Sequence, residues 1–130
     1  MKGSIAPRLN NPQKTRILWV DDDKSILELG KALLNLMGYE SRTATNGREA
    51  LNLLEKEFCP IVITDLQMPI MNGYDLIQAI RKNYGQKCFI IAVSGSQEYL
   101  EIINAFSLAN IAMIKPIALD VLRLILEENQ

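Results

Sequence analysis

No histidine occurs among the 130 residues. That removes Ser-His-Asp and Cys-His catalysis, imidazole metal sites and any histidine phosphorelay inside the chain. Cysteine is nearly as scarce, with only Cys59 and Cys88. Two thiols without histidine make a poor zinc site, and each falls at the start of a predicted strand, so both read as small buried apolar residues. No apolar run reaches the ~18 to 20 residues of a membrane span, and the N-terminus lacks the apolar core of a signal peptide, so a cytoplasmic location and no membrane contact are expected. Charge of one sign is also missing: 14 Lys and Arg against 15 Asp and Glu leave a net charge of −1. No overall field attracts nucleic acid, and none is expected as a partner. The balance is uneven, since Lys2, Arg8, Lys14 and Arg16 put +4 on residues 1–16 and leave −5 for the rest. With Gly3, Pro7, Asn10, Asn11 and Pro12 and few apolar residues, residues 1–15 are expected to form a flexible leader before one domain at 16–130.

What is present is a set of short apolar runs that end in polar groups. Ile61–Ile63 leads through Thr64 to Asp65, and the following LQMPIMNG holds the Pro, Asn and Gly of a loop. Asp65 therefore sits just past the carboxyl end of a strand, where open parallel sheets bind ligands. A carboxylate there is a metal ligand, a nucleophile toward phosphorus, or simply a turn former. Three other runs end in kind: Ile17–Val20 in Asp21, Asp22 and Asp23; Phe89–Val93 in Ser94 and Gly95; Ile111–Ile114 in Lys115 and Pro116. Acids collect Mg²⁺, a hydroxyl donates to a phosphoryl oxygen, and an ammonium neutralises charge.

Between the strands lie helical patterns. Apolar residues at Ile26, Leu29, Leu33 and Leu36, stopping at Gly38, predict an amphipathic helix with Gly30 closely packed in its middle. Tyr39–Ala44 is the most polar strand and so a sheet edge. Asn46 with Glu49 opens a helix through Ala50, Leu51 and Leu54 to about Lys56. Asn72 caps one bearing Leu76, Ile77 and Ile80, and Ser96 caps one bearing Leu100, Ile103 and Phe106. Pro116 suits the first turn of a last helix carrying Leu119, Leu122 and Leu126. Trp19, inside the first strand, reads as core. Five strands alternating with five helices predict an α/β fold with a parallel sheet covered on both faces.

The motifs ILWVDDD, ITDLQMPIMNG, AVSGS and MIKP, in that order from Arg16 onward, resemble the receiver domain of two-component response regulators, of the single-domain chemotaxis or hybrid-kinase kind. The resemblance implies a flavodoxin-like doubly wound sheet of strand order 2-1-3-4-5 with five helices. It implies Asp65 as phosphoacceptor, Asp21 and Asp22 as the acidic pair of a Mg²⁺ site completed by Asp65 and the backbone carbonyl of Gln67, Ser94 as the hydroxyl switch residue and Lys115 as the phosphate-contacting lysine. The donor partner is then a sensor histidine kinase or a histidine phosphotransfer protein, and output goes to a downstream protein that the sequence does not name. Such a domain is no enzyme beyond its own phosphorylation and dephosphorylation.

The chain departs from the family pattern at Ala112, where an aromatic switch residue is usual, and at Leu108 and Asn110, which replace a common glycine and acid. These changes spare the phosphorylation chemistry and bear on its readout. Two alternatives stand beside this reading. A dehalogenase-type aspartyl phosphatase would use Asp21 with Asp23 two residues on as general acid, but has Ser25 where Thr or Val is expected. A receiver used only as a binding scaffold would have no need of Ser94 and Lys115.

Overall fold

The computed structural model describes residues 15–105 and 107–129. All but one residue of the expected leader, and Phe106, lie outside them. The chain alternates strand and helix throughout: β1 (Arg16–Val20), α1 (Lys24–Leu36), β2 (Glu40–Ala44), α2 (Gly47–Lys56), β3 (Ile61–Asp65), α3 (Gly73–Tyr84), β4 (Phe89–Ser94), α4 (Gln97–Ala105), β5 (Ile111–Ile114) and α5 (Leu119–Glu128). A short 3₁₀ turn, Gly85–Lys87, joins α3 to β4. The five strands form one parallel sheet in the order β2-β1-β3-β4-β5, the flavodoxin-like arrangement.

Side-chain alternation along the strands divides the core into two layers. Leu18, Val20, Val62, Ile90 and Ala92 pack with residues of α2, α3 and α4 on one face. Ile17, Trp19, Ile61, Ile63, Ile91 and Val93 pack with α1 and α5 on the other. β3, in the middle and covered on both sides, is buried at all five positions, which is why its sequence is a continuous apolar run rather than an alternating one. β2 is the polar edge expected of Tyr39–Ala44, with only Ala44 buried.

The helix starts follow the caps. Asn46 Oδ1 accepts from the Glu49 N–H at 2.9 Å, and the Glu49 carboxylate reaches back to the Thr45 N–H at 2.7 Å. Asn72 Oδ1 accepts from the Asp75 N–H at 2.9 Å. Ser96 Oγ accepts from the Tyr99 N–H at 3.4 Å, as expected of the cap of α4.

Three expectations need correction. The buried stripe of α1 is Leu27, Gly30 and Leu34, one position away from the predicted Ile26, Leu29, Leu33 and Leu36. Leu29 is 56 % exposed and Leu36 84 %. Two leucine stripes run along this helix, and the indole of Trp19, packed against Gly30, selects the one that contains no bulk at that turn. In α5, Leu122 and Leu126 are buried but Leu119 is 41 % exposed. Pro116 lies in the loop before this helix, whose N-cap is Ala118; the ring that suits a first helical turn suits an extended loop equally. Cys59 and Cys88 are buried free thiols just ahead of β3 and β4. Burial pushes the first up to about 11 and the second to about 12, so neither is a thiolate at neutral pH.

Candidate functional site

The sheet order makes β1 and β3 neighbours, so their carboxyl ends deliver acids to one place. Asp21 and Asp65 are nine-tenths buried or more, while Asp22 is exposed. One carboxylate oxygen from each of Asp21, Asp22 and Asp65 falls within a common 4.8 Å. Lys115, at the end of β5, reaches across: its Nζ lies 3.2 Å from Asp65 Oδ2 and 3.3 Å from Asp21 Oδ2. Ser94 follows Val93, the residue paired with Asp65 across the ladder. It is fully buried, and its Oγ accepts from the Ser96 N–H at 3.0 Å. The β4 and β5 ends are tied together by the Lys115 N–H donating to the Ser94 carbonyl at 2.9 Å.

Electrostatics at this rim are unbalanced. Desolvation raises the pKa of Asp21, and the neighbouring Asp65 charge adds to it; the Asp23 N–H, donating to Asp21 Oδ1 at 2.9 Å, and Lys115 pull the other way without prevailing. For Lys115 burial opposes the charge, but Asp65 and Asp21 together outweigh it and hold the ammonium above its ordinary value. One ammonium among three carboxylates leaves a surplus of negative charge. The donor set is all hard oxygen, which suits Mg²⁺ or a similar cation and does not suit a thiophilic metal.

The loop after Asp65 is held in several places. The Gln67 N–H donates to Asp65 Oδ1 at 3.3 Å. Ile70 has φ 69° with the Met71 N–H donating to the Pro69 carbonyl at 2.7 Å, a γ-turn of positive φ. Met71 then meets the start of α2, where its carbonyl accepts from the Gly47 N–H at 3.0 Å. The return to α3 passes so close that a Cβ on Gly73 would run into the Asp65 carbonyl oxygen and sit 2.7 Å from Leu66 Cα. Only glycine lets α3 start there.

Of the predicted residues, Asp21, Asp22, Asp65 and Lys115 are gathered within a few ångströms, and Ser94 ends the adjacent strand. Gln67 is exposed beside Asp65 through its amide N–H. Asp23, the acid a dehalogenase-type phosphatase would need, instead caps α1 by accepting from the Ser25 N–H.

Sequence reasoning missed Arg81. Its guanidinium donates to the carbonyls of Leu108 at 2.8 Å, Gly85 at 2.8 Å and Cys88 at 2.7 Å and to Asn110 Oδ1 at 2.7 Å. Asn110 in turn accepts from the Ile90 N–H at 2.7 Å. Leu108 and Asn110, the departures noted above, are thus parts of a clasp that fixes the entry to β5.

Acids and a lysine thus meet on the carboxyl rim of a doubly wound parallel α/β sheet, the edge at which such sheets bind ligands. Residues 17–127 match the response regulator receiver domain, and the chain belongs to that family. It is 32 % identical to the response regulator TrrA from Thermotoga maritima, solved in complex with Mg²⁺-BeF, with a TM-score of 0.81 over 89 % of this chain and 99 % of that one. Among relatives, it is 44 % identical over 70 residues to the probable transcriptional regulator ycf27 of Porphyra purpurea, which is 54 % of this chain and 29 % of the relative. It is 32 % identical over 123 residues to the autoinducer 1 sensor kinase/phosphatase LuxN of Vibrio harveyi, covering 94 % of this chain and 14 % of that protein. The chain thus spans less than a third of the length of these relatives. No helix among the described residues is long and apolar enough to cross a membrane.

Proposed function

We propose that this receiver domain takes a phosphoryl group onto Asp65 in a Mg²⁺-dependent step and signals by a change of conformation to a protein partner. The observation that carries the reading is Lys115 Nζ, 3.2 Å from Asp65 Oδ2 and 3.3 Å from Asp21 Oδ2. An ammonium so placed meets a phosphoryl oxygen as soon as Asp65 is modified.

Asp65 attacks as an ionised carboxylate, which needs no base in a chain without histidine. Its oxygen forms a bond to phosphorus while the bond to the donor breaks, and the donor departs with the electron pair. The donor is a phosphohistidine on a sensor histidine kinase or a histidine phosphotransfer protein, or a small acyl phosphate. Lys115 turns from the carboxylates toward the phosphoryl oxygens. Ser94 Oγ, which already accepts from Ser96, has its own proton to donate to one of them, and this draws the loop at 94–96 inward. Asp21, Asp22, Asp65 and the Gln67 carbonyl would hold Mg²⁺, which when bound supplies charge neutralisation for the group in transfer. The domain is a signalling module rather than an enzyme with a separate substrate, working in the cytoplasm.

Intact-mass measurement after incubation with acetyl phosphate and Mg²⁺ tests the reading. One added phosphoryl group is expected, absent with a chelator and absent in Asp65→Asn. An increment that survives Asp65→Asn would overturn the assignment of the acceptor.

A further inference from the structure

Among the described residues the buried polar or charged side chains are Asp21, Thr64, Asp65 and Ser94. Three of them belong to the acidic cluster or to the strand end beside it, and Thr64 has no part in the chemistry above. It lies one residue before the acceptor, fully buried, in a strand whose earlier members are Ile61, Val62 and Ile63. Strand alternation puts its side chain on the face opposite that of Asp65, with Val62, between its ladder partners Val20 and Ala92. A valine would fill such a place with the same shape and no polar atom, so a hydroxyl there costs free energy unless a hydrogen bond offsets it. That bond is present: Thr64 Oγ1 donates to the Asp65 carbonyl at 2.9 Å. The carbonyl needs it, because pairing with β1 ends at Thr64 opposite Val20, and Asp65 continues only the ladder with β4. The other half of the same peptide group is fixed to β4, where the Leu66 N–H donates to the Val93 carbonyl at 3.0 Å.

We infer that Thr64 is a positioning residue for the phosphoacceptor, its hydroxyl holding the peptide between Asp65 and Leu66 so that the Asp65 carboxylate is aimed at the incoming phosphorus. This rests on the phosphoacceptor reading of Asp65. With the Leu66 N–H tied to Val93 and the Asp65 carbonyl tied to Thr64, both ends of one peptide plane are held and the plane does not swing. A swing would turn the Asp65 side chain relative to Lys115 Nζ, 3.2 Å from Oδ2, and relative to the Gln67 N–H, which donates to Oδ1 at 3.3 Å. Thr64 touches neither the donor nor the phosphoryl group; it acts through the backbone of the residue that does. Freeing the peptide leaves every reacting group in place but blurs the alignment of nucleophile and phosphorus, a loss that costs roughly tenfold in rate.

The test compares the wild-type chain with Thr64→Val, which keeps the shape and removes the donor, and with Thr64→Ser, which keeps the donor. Labelling of Asp65 by acetyl phosphate is followed by intact mass, at Mg²⁺ levels beyond which the rate no longer rises and on protein folded by circular dichroism. Thr64→Val is expected to label roughly tenfold more slowly, and Thr64→Ser to recover the wild-type rate. A hydroxyl that only stabilises the fold would lower the urea midpoint of Thr64→Val and leave its labelling rate unchanged, a result that overturns the inference. Labelling as slow in Thr64→Ser as in Thr64→Val overturns it too, since the methyl branch and not the donor would then matter. Should Thr64→Val not fold, Thr64→Ala is read against Thr64→Ser by the same criteria. Failure of the wild-type chain to label sinks the phosphoacceptor reading, and this inference with it.

Discussion

The indole of Trp19 and the backbone of Gly30 occupy each other's space: a Cβ on Gly30 would lie 2.6 Å from Trp19 Cε3 and 2.7 Å from Cζ3. This single fit sets which face of α1 meets the sheet, and through it which leucines remain outside.

Gly30→Ala is expected to destabilise the domain by about 1–3 kcal/mol, since a buried indole cannot yield without disturbing its layer. In a Trp19→Leu background the added methyl has room, so the double variant is less destabilised than the sum of the single changes. Urea denaturation of the four proteins measures the coupling, and strict additivity would show that the two residues do not share that space.

Gly73→Ala meets backbone rather than a side chain, because its Cβ would collide with the Asp65 carbonyl and with Leu66 Cα. The loss is expected to exceed that of Gly30→Ala, at roughly 3 kcal/mol or more. It also moves the peptide that carries the acceptor, so labelling by acetyl phosphate should fall even in the fraction that remains folded by circular dichroism.

Ile70 presents the opposite case. It is 79 % exposed yet holds φ 69°, a conformation that penalises a branched side chain by about 1–2 kcal/mol. Ile70→Gly removes that penalty and loses part of the gain to chain entropy, for a net stabilisation of roughly 0.5–1 kcal/mol. A lower midpoint in urea for Ile70→Gly would mean that Ile70 makes contacts which outweigh its backbone strain.

At the amino end of the sheet, Arg42 Nε lies 2.7 Å from Glu57 Oε1 and Arg16 Nε 2.8 Å from Glu40 Oε1. The hydrogen bond from Arg42, followed by the Coulomb attraction of Arg42 and Arg16, holds Glu57 below the ordinary glutamate range. A folded-state pKa below the unfolded one contributes stability above the unfolded value and loses it as pH falls through the folded value. Glu57→Gln should therefore lower Tm slightly at neutral pH, with the gap from wild type closing below about pH 4. A gap that stays constant into acid would show that the carboxylate charge contributes nothing there.

The site was readable in the sequence because each of its residues ends an apolar run, and a parallel sheet brings such ends to one rim. Asp65, Asp21 and Lys115 needed only that rule and the strand order to be brought together. The face of α1 was not readable: two leucine stripes one residue apart satisfy the same period, and the choice between them depends on a tryptophan in another element. Arg81 escaped for a related reason. Three of its partners are backbone carbonyls, which leave no trace in residue type, and Leu108 and Asn110 belong to a segment more than twenty residues away.

Every group assigned to chemistry stands at one rim of the sheet, while the turn at Gly38 and the segment Gly85–Lys87 lie at the other. The architecture thereby separates what reacts from what merely joins. Foreign peptide spliced in at the Gly38 bend, which takes no part in the Arg81 clasp, would leave the arrangement of Asp21, Asp65 and Lys115 undisturbed, which makes it the natural port for attaching a reporter to this domain.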